Sequence, residues 1–173
     1  DWNVYARTDD YYIKNFEEER NLTVHIILDY SDSMNFGKKV TKFEYSGMLG
    51  IGFAYLAMKD NEKFYLSTFA DDIHIFQPTK RVSQLASVVE HVNRLKTKGQ
   101  SKMLDALVHY KRFISGRSLV VLISDFLIDI EEIREALYRL GRHEVKVVHV
   151  LDPAEKEIAV KGDNILKDSE TDE

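Results

Sequence analysis

The chain has 173 residues, 44% apolar and 31% charged, with a formal net charge of -5 and no Cys. That length fits one domain with a sizeable core. The net negative charge argues against nucleic-acid binding through a broad basic field, and the lack of Cys excludes disulfides, zinc–thiolate sites and thiol nucleophiles.

Residues 1–20 are aromatic and charged (Trp2, Tyr5, Tyr11, Tyr12, Phe16, then Glu17-Glu-Glu-Arg20). Tyr11 to Phe16 reads as an edge strand and the acidic run as a solvated turn. The chain opens on Asp1 without Met, which suggests a piece of a longer parent. Leu22-Thr-Val-His-Ile-Ile-Leu28 is a strand so rich in β-branched and apolar residues that it reads as buried on both faces, in a parallel sheet. It runs into Asp29-Tyr30-Ser31-Asp32-Ser33. A polar loop from Asn35 to Lys42 precedes a helix expected over 43–59. Inside it, Met48 to Met58 is the longest apolar run, too short for a bilayer span and read as a buried helix. Ser46, Gly50, Ala54 and Ala57 share one helical face. Each glycine costs about 1 kcal/mol of helix propensity, which close packing on a sheet would offset.

Lys63 to Phe69 and Ile73 to Phe76 are short strands joined by the turn Ala70-Asp71-Asp72, hence antiparallel. Leu85, Val88, Val89, Val92 and Leu95 recur at helical spacing, with Lys96-Thr-Lys-Gly99 as the helix end. Gly99-Gln-Ser101 opens another helix carrying Leu104, Leu107 and Ile114 and stopping at Gly116. Ser118 to Asp125 is a second continuous apolar strand that ends in an acid. Asp129-Ile-Glu-Glu132 resembles a capping box before a helix with Ile133, Leu137 and Leu140, closed by Gly141. Val145 to Leu151 is a third buried strand, and Ile158–Val160 is a weak strand candidate in a charged tail.

This alternation predicts an α/β fold: a doubly wound, mostly parallel sheet with one antiparallel edge strand and helices on both faces. The expected organisation is an N-terminal edge segment over 1–20, the main domain over 21–160 and a charged tail over 161–173.

Both central apolar strands end in Asp, at Asp29 and Asp125. Open α/β sheets bind ligands at the carboxyl ends of their strands, where the strand order reverses. Ser31 and Ser33 lie on the first loop, and Ser101 opens a helix that can reach the same edge. Two carboxylates and three hydroxyls form an oxygen-only donor set suited to a hard cation, above all Mg²⁺, with Mn²⁺ or Ca²⁺ as alternatives. An open coordination position would accept a further anionic group, such as an acidic side chain of a partner. The six histidines show no i, i+4 pairing; His25 and His149 read as core or sheet-surface residues. Met34 reads as a packing residue, and Asp32, between the two serines, as facing solvent rather than a metal. Lys38, Lys39 and Lys42 form a small basic cluster beside the loop, best read as solvated, with contact to an acidic partner as the functional alternative.

Asp29-x-Ser31-x-Ser33, then Ser101, then Asp125 resembles the metal-ion-dependent adhesion site of von Willebrand factor A-like domains. In those domains the third element is usually Thr in Gly-Gly-Thr, where this chain has Gly99-Gln-Ser101; the last is usually Thr-Asp-Gly, where it has Ser124-Asp125-Phe126. A resemblance over almost the whole chain is to domain-of-unknown-function family 58. It is carried by Asp1-Trp-Asn-Val-Tyr-Ala-Arg7, Phe16-Glu-Glu-Glu19, Asp29-Tyr-Ser-Asp-Ser-Met34, Leu122-Ile-Ser-Asp-Phe126 and Asp168-Ser-Glu-Thr171. The resemblance implies a cytoplasmic, non-enzymatic protein-interaction module in a parent that could be membrane-anchored. The implied partner presents an Asp or Glu; a MoxR-type AAA+ ATPase is the candidate, because members of family 58 are often encoded beside one. The competing expectations are a Mg²⁺-dependent phosphatase, which would need a second acid where Ser31 stands, and a metal-free scaffold.

Overall fold

The computed structural model describes residues 22–76 and 84–156. The strand expectations at Tyr11–Phe16 and Ile158–Val160 lie outside the described residues.

The sheet contains β1 (Thr23–Asp29), β2 (Lys63–Phe69), β3 (Ile73–Phe76), β4 (Ser118–Ser124) and β5 (Glu144–His149), in the order β3-β2-β1-β4-β5. β1 pairs parallel with β2 and β4, β4 pairs parallel with β5, and β3 runs antiparallel to β2. The order reverses between β1 and β4, so the carboxyl ends carrying Asp29 and Asp125 lie side by side at the switch point. The helices are α1 (Lys42–Lys59), α2 (Gln84–Arg94), α3 (Met103–Tyr110), α4 (Ile130–Arg139) and the single turn α5 (Pro153–Lys156).

Strand alternation sorts the core into two layers. Val24, Ile26 and Leu28 of β1, with Val121 and Ile123 of β4, pack under α1 and α2. Ile27, Val120 and Leu122 pack on the opposite face with Met103, Leu107 and Tyr110 of α3 and Ala136 of α4. His25 occupies the second face as a core residue, 1% exposed, with Nδ1 2.8 Å from the Tyr110 hydroxyl and its ring stacked on Tyr65.

α1 starts one residue earlier than the sequence reading placed it. Thr41 Oγ1 accepts from the Glu44 amide, and the Glu44 carboxylate accepts from the Thr41 amide. This capping box makes Lys42 the first helical residue. Ser46, Gly47, Gly50, Ala54 and Ala57 form the buried face. A Cβ on Gly50 would stand 3.0 Å from Leu28 Cδ2, so the absent side chain is what lets α1 lie on β1. The run from Met48 to Met58 is therefore not buried as a whole. Small residues take the sheet side, and Met48, Tyr55 and Leu56 are turned outward, about half-exposed. Among the described residues no helix is long and apolar enough to cross a membrane.

Three further details differ from expectation. β5, read as a third buried strand running to Leu151, ends at His149 and is exposed or half-buried along its length. α2 ends at Arg94, and residues 95–101 run back across the carboxyl edge of the sheet instead of finishing the helix. Asp129 caps α4 by accepting from the Glu131 amide, but Glu132 does not return to its own cap; it accepts from the Leu104 amide in the first turn of α3. That contact ties α4 to the helix that follows Ser101.

Gly52 has open space where a Cβ would stand, whereas a Cβ on Gly47 would lie 2.7 Å from Val92 Cγ1. Denaturant unfolding should show Gly52→Ala stabilising by about 1 kcal/mol and Gly47→Ala destabilising. Burial, reinforced by the positive charge of His143, holds the His25 imidazole down at about 4. The folded state thus resists protonating a ring that titrates near 6.5 when unfolded, and His25's contribution is lost as pH falls from 6.5 towards 4. Relative to His25→Gln, the wild type should lose about 3 kcal/mol between pH 7 and pH 4 in parallel urea titrations.

Candidate metal centre

Asp29 ends β1 with no exposed surface. By alternation it belongs to the α3 face, and its carboxylate is the acceptor around which the carboxyl edge is assembled. Oδ1 accepts from the Ser31 amide at 2.9 Å. Oδ2 accepts from Ser101 Oγ at 2.8 Å and Ser124 Oγ at 2.7 Å. Ser31 Oγ lies 3.1 Å from Ser33 Oγ, and Ser33 sits in the 3₁₀ turn Asp32–Asn35 with the fully buried Met34. Asp29, Ser31, Ser33 and Ser101 thus form one connected group from three places in the chain.

The backbone delivers Ser101. Lys98 donates its amide to the Tyr30 carbonyl, Asp32 donates to the Gly99 carbonyl, and Lys102 donates to the Ala70 carbonyl. The Gly99 amide returns to Asp32 Oδ2 at 3.1 Å. Asp32 is half-buried and pins one loop to the other, a role beyond the expectation that it faces solvent rather than metal. Gly99 has φ +71°, and a Cβ there would lie 2.0 Å from Asp71 Oδ2, so conformation and contact both call for glycine.

Asp125 follows β4 directly and, unlike Asp29, turns to the α1 side. Its Oδ1 accepts from the Leu127 amide at 3.3 Å, and its Oδ2 accepts from Lys42 Nζ at 2.7 Å. It joins the Asp29 group through its neighbour Ser124, whose hydroxyl donates to Asp29 and accepts from the Phe126 amide. Phe126 holds φ +53° where A-like domains usually carry Gly. The left-handed conformation costs about 1–2 kcal/mol outside glycine, offset here by packing of the ring with the α3–α4 core layer and edge-on to His149.

Lys42 departs furthest from the sequence reading. It is not a solvated loop residue but 3% exposed, bridging Asp125 and Glu155 Oε1 at 2.6 Å, with its ammonium 5.7 Å from the centre of the Phe36 ring. Lys38 and Lys39 are exposed, as expected. Glu155 is held by α5: its Oε2 accepts from the Asp152 amide, while Asp152 Oδ1 accepts from the Ala154 amide. The sequence reading missed Lys42, Ser124 and Glu155 as members of this neighbourhood. Thr41-x-x-Glu44 and Asp152-Pro-Ala-Glu155 are legible helix-start patterns, and the first of them places Lys42 on the site-facing turn.

Burial pushes the Asp29 carboxyl above its ordinary 3.8, against the opposing pull of the Ser31 amide and the Ser124, Ser31 and Ser101 hydroxyls. Burial also works against the Lys42 ammonium, but its contacts with Asp125 and Glu155 outweigh that and raise its pKa. The carboxylates of Asp125 and Glu155 face the ammonium of Lys42, whereas Asp29 is held by hydroxyls and an amide with no cation of its own in contact. Among the described residues no three His, Asp or Glu side chains gather as a metal-binding group, so a cation here would depend on the hydroxyls. The donor chemistry fits Mg²⁺: oxygen only, two carboxylates, and hydroxyls able to reorient.

The sheet order with its antiparallel edge strand and flanking helices is that of a von Willebrand factor A-like fold. The chain belongs to the family described as "Protein of unknown function DUF58", whose model matches residues 1–173. It is 25% identical to the uncharacterized proteins Mb1516 of Mycobacterium bovis and Rv1480 of Mycobacterium tuberculosis, over 99% of this chain and 56% of each relative. It thus spans just over half the length of the curated relatives it matches. Its fold is similar to that of the conserved hypothetical protein BatB from Bacteroides thetaiotaomicron (TM-score 0.59, 19% identity, 74% of this chain and 66% of that one). It is also similar to that of an aerotolerance-related membrane protein from Bacteroides fragilis (TM-score 0.56, 21% identity, 75% and 67%).

Because folding raises the Asp29 pKa, ionising this group costs the folded state more than the unfolded state. Its contribution to stability is intact below 3.8 and is lost as pH rises through the folded value. In metal-free buffer, thermal melts of wild type and Asp29→Asn should coincide most nearly below pH 4, and the wild type should fall behind progressively above it.

Proposed function

We propose that this domain is a metal-ion-dependent protein–protein interaction module. In this reading Asp29, Ser31, Ser33, Ser101 and Asp125 hold Mg²⁺, or Mn²⁺ or Ca²⁺ in its place. The observation that carries it is the bonding of Asp29: one buried carboxylate draws Ser31, Ser101 and Ser124 to the switch point from separate segments. When bound, the cation supplies a Lewis-acidic position for a partner's carboxylate oxygen and cancels buried negative charge. The serines orient Asp29, and the Asp32–Gly99 bonds fix the distance between the loops that carry them. The partner presents an Asp or Glu; the family resemblance points to a MoxR-type AAA+ ATPase acting with the parent in assembly or chaperone-like work. Such a partner, working on ATP, places the domain on the cytoplasmic side whether or not the parent is membrane-anchored. The A-like fold supports interaction rather than catalysis, and Ser31 stands where a haloacid-dehalogenase-type phosphatase would need its second acid.

Isothermal titration of Mg²⁺ and Mn²⁺ should give saturable one-site binding that Asp125→Ala abolishes. Identical heats from both chains would refute the coordination set. In the full-length parent, capture of the neighbouring ATPase should weaken at least tenfold in EDTA; equal capture with and without the chelator would remove the metal from the interaction.

A further inference from the structure

Lys42 combines two features that disfavour a lysine: it is 3% exposed, and as the first residue of a helix it carries positive charge at the positive end of that helix's dipole. Its two short contacts, 2.7 Å to Asp125 and 2.6 Å to Glu155, are what offset these costs. The ammonium lies between a carboxylate of the candidate metal set and a carboxylate from outside it. In the reading above, Asp125 would help to hold a bound cation, and its carboxylate would have to be shared with Lys42 or given up by it.

We propose that Lys42 is a resident counter-cation of this site: a divalent ion must take Asp125 from it, and Glu155 retains the displaced ammonium. The inference rests on the metal reading and adds a determinant of its affinity. Glu155 suits the role of second acceptor because its other oxygen is fixed by the Asp152 amide, so it stays in place while Asp125 changes partner. Exchange of one cation for another on Asp125 avoids leaving either a carboxylate or an ammonium buried without a counter-charge, the arrangement that costs most in a protein interior. The two partners of Lys42 then act in opposite senses. Removing the ammonium frees Asp125 for metal, while removing Glu155 leaves the ammonium with Asp125 alone and closes the site.

The test is calorimetric titration of Mg²⁺ and Mn²⁺ into the 173-residue chain and its variants. Lys42→Met should bind at least tenfold more tightly than wild type, and Glu155→Gln at least threefold more weakly. Lys39→Met removes an exposed charge from the loop just before α1 and should match wild type, separating direct displacement from a general field effect. Binding by Lys42→Met alone, with none by wild type, also supports displacement. Wild-type binding that Asp125→Ala abolishes but Lys42→Met leaves unchanged or weakened overturns this inference and spares the metal reading. No saturable binding by any chain overturns both. Should Lys42→Met fail to fold, side-chain ammonium NMR of the wild type decides: a Lys42 signal that moves on saturation with Mg²⁺ supports displacement, and one that stays put excludes it.

Discussion

A carboxylate with no exposed surface at the end of the central strand constrains everything around it. Asp29 cannot draw on bulk water, so its oxygens need donors from the protein. The Ser31 amide and the Ser101 and Ser124 hydroxyls meet that need, and each comes from a different segment. The path of residues 95–101 across the sheet edge, the Asp32–Gly99 bonds and the positive φ of Gly99 follow from bringing Ser101 there. Even with those bonds, desolvation keeps the Asp29 carboxyl above its ordinary range.

The sheet imposes a second constraint, which separates the two acids. Side chains alternate along a strand, so Asp29 falls to the α3 side together with Ser124, and Asp125, one residue further on, turns to the α1 side. The two carboxylates therefore reach the switch point from opposite faces and gather different company. Asp29 collects hydroxyls from the loop before α3 and the end of β4, and an amide from the loop after β1. Asp125 meets the first turn of α1 and takes an ammonium. One edge thus holds a hydroxyl-rich half and a charged half, joined through the adjacent residues Ser124 and Asp125.

Packing of α1 serves the same edge. Its small face lets the helix lie directly on β1, and the capping box ends it where Lys42 reaches Asp125. Of the large residues in the run from Met48 to Met58, Leu49, Ile51 and Phe53 pack partly buried against the core on the flanks of the small face, and Met48, Tyr55, Leu56 and Met58 lie on the outer one. A run that looks uniformly apolar in sequence is thus divided in space between a small-residue face on the sheet, half-buried flanks and an exposed outer face.

The sequence by itself determined much of this protein. The apolar runs ending in Asp29 and Asp125, the turn at Asp71-Asp72 and the helical spacings specify the strands, helices and antiparallel edge, because periodicity and turn chemistry are local properties. The hydroxyl and acid spacing pointed to the donor set for the same reason: those residues sit at element ends that local pattern defines. Only the tertiary structure decided the partnerships. That Asp32 pins Gly99, that Glu132 caps α3 and that Lys42 joins Asp125 to Glu155 across 83 and 113 residues of chain depends on strand order and on the face each side chain takes. A lysine in a polar loop is ordinarily solvated. This one is buried because its helix start is carried to the edge where two carboxylates, distant in sequence, lack a counter-charge.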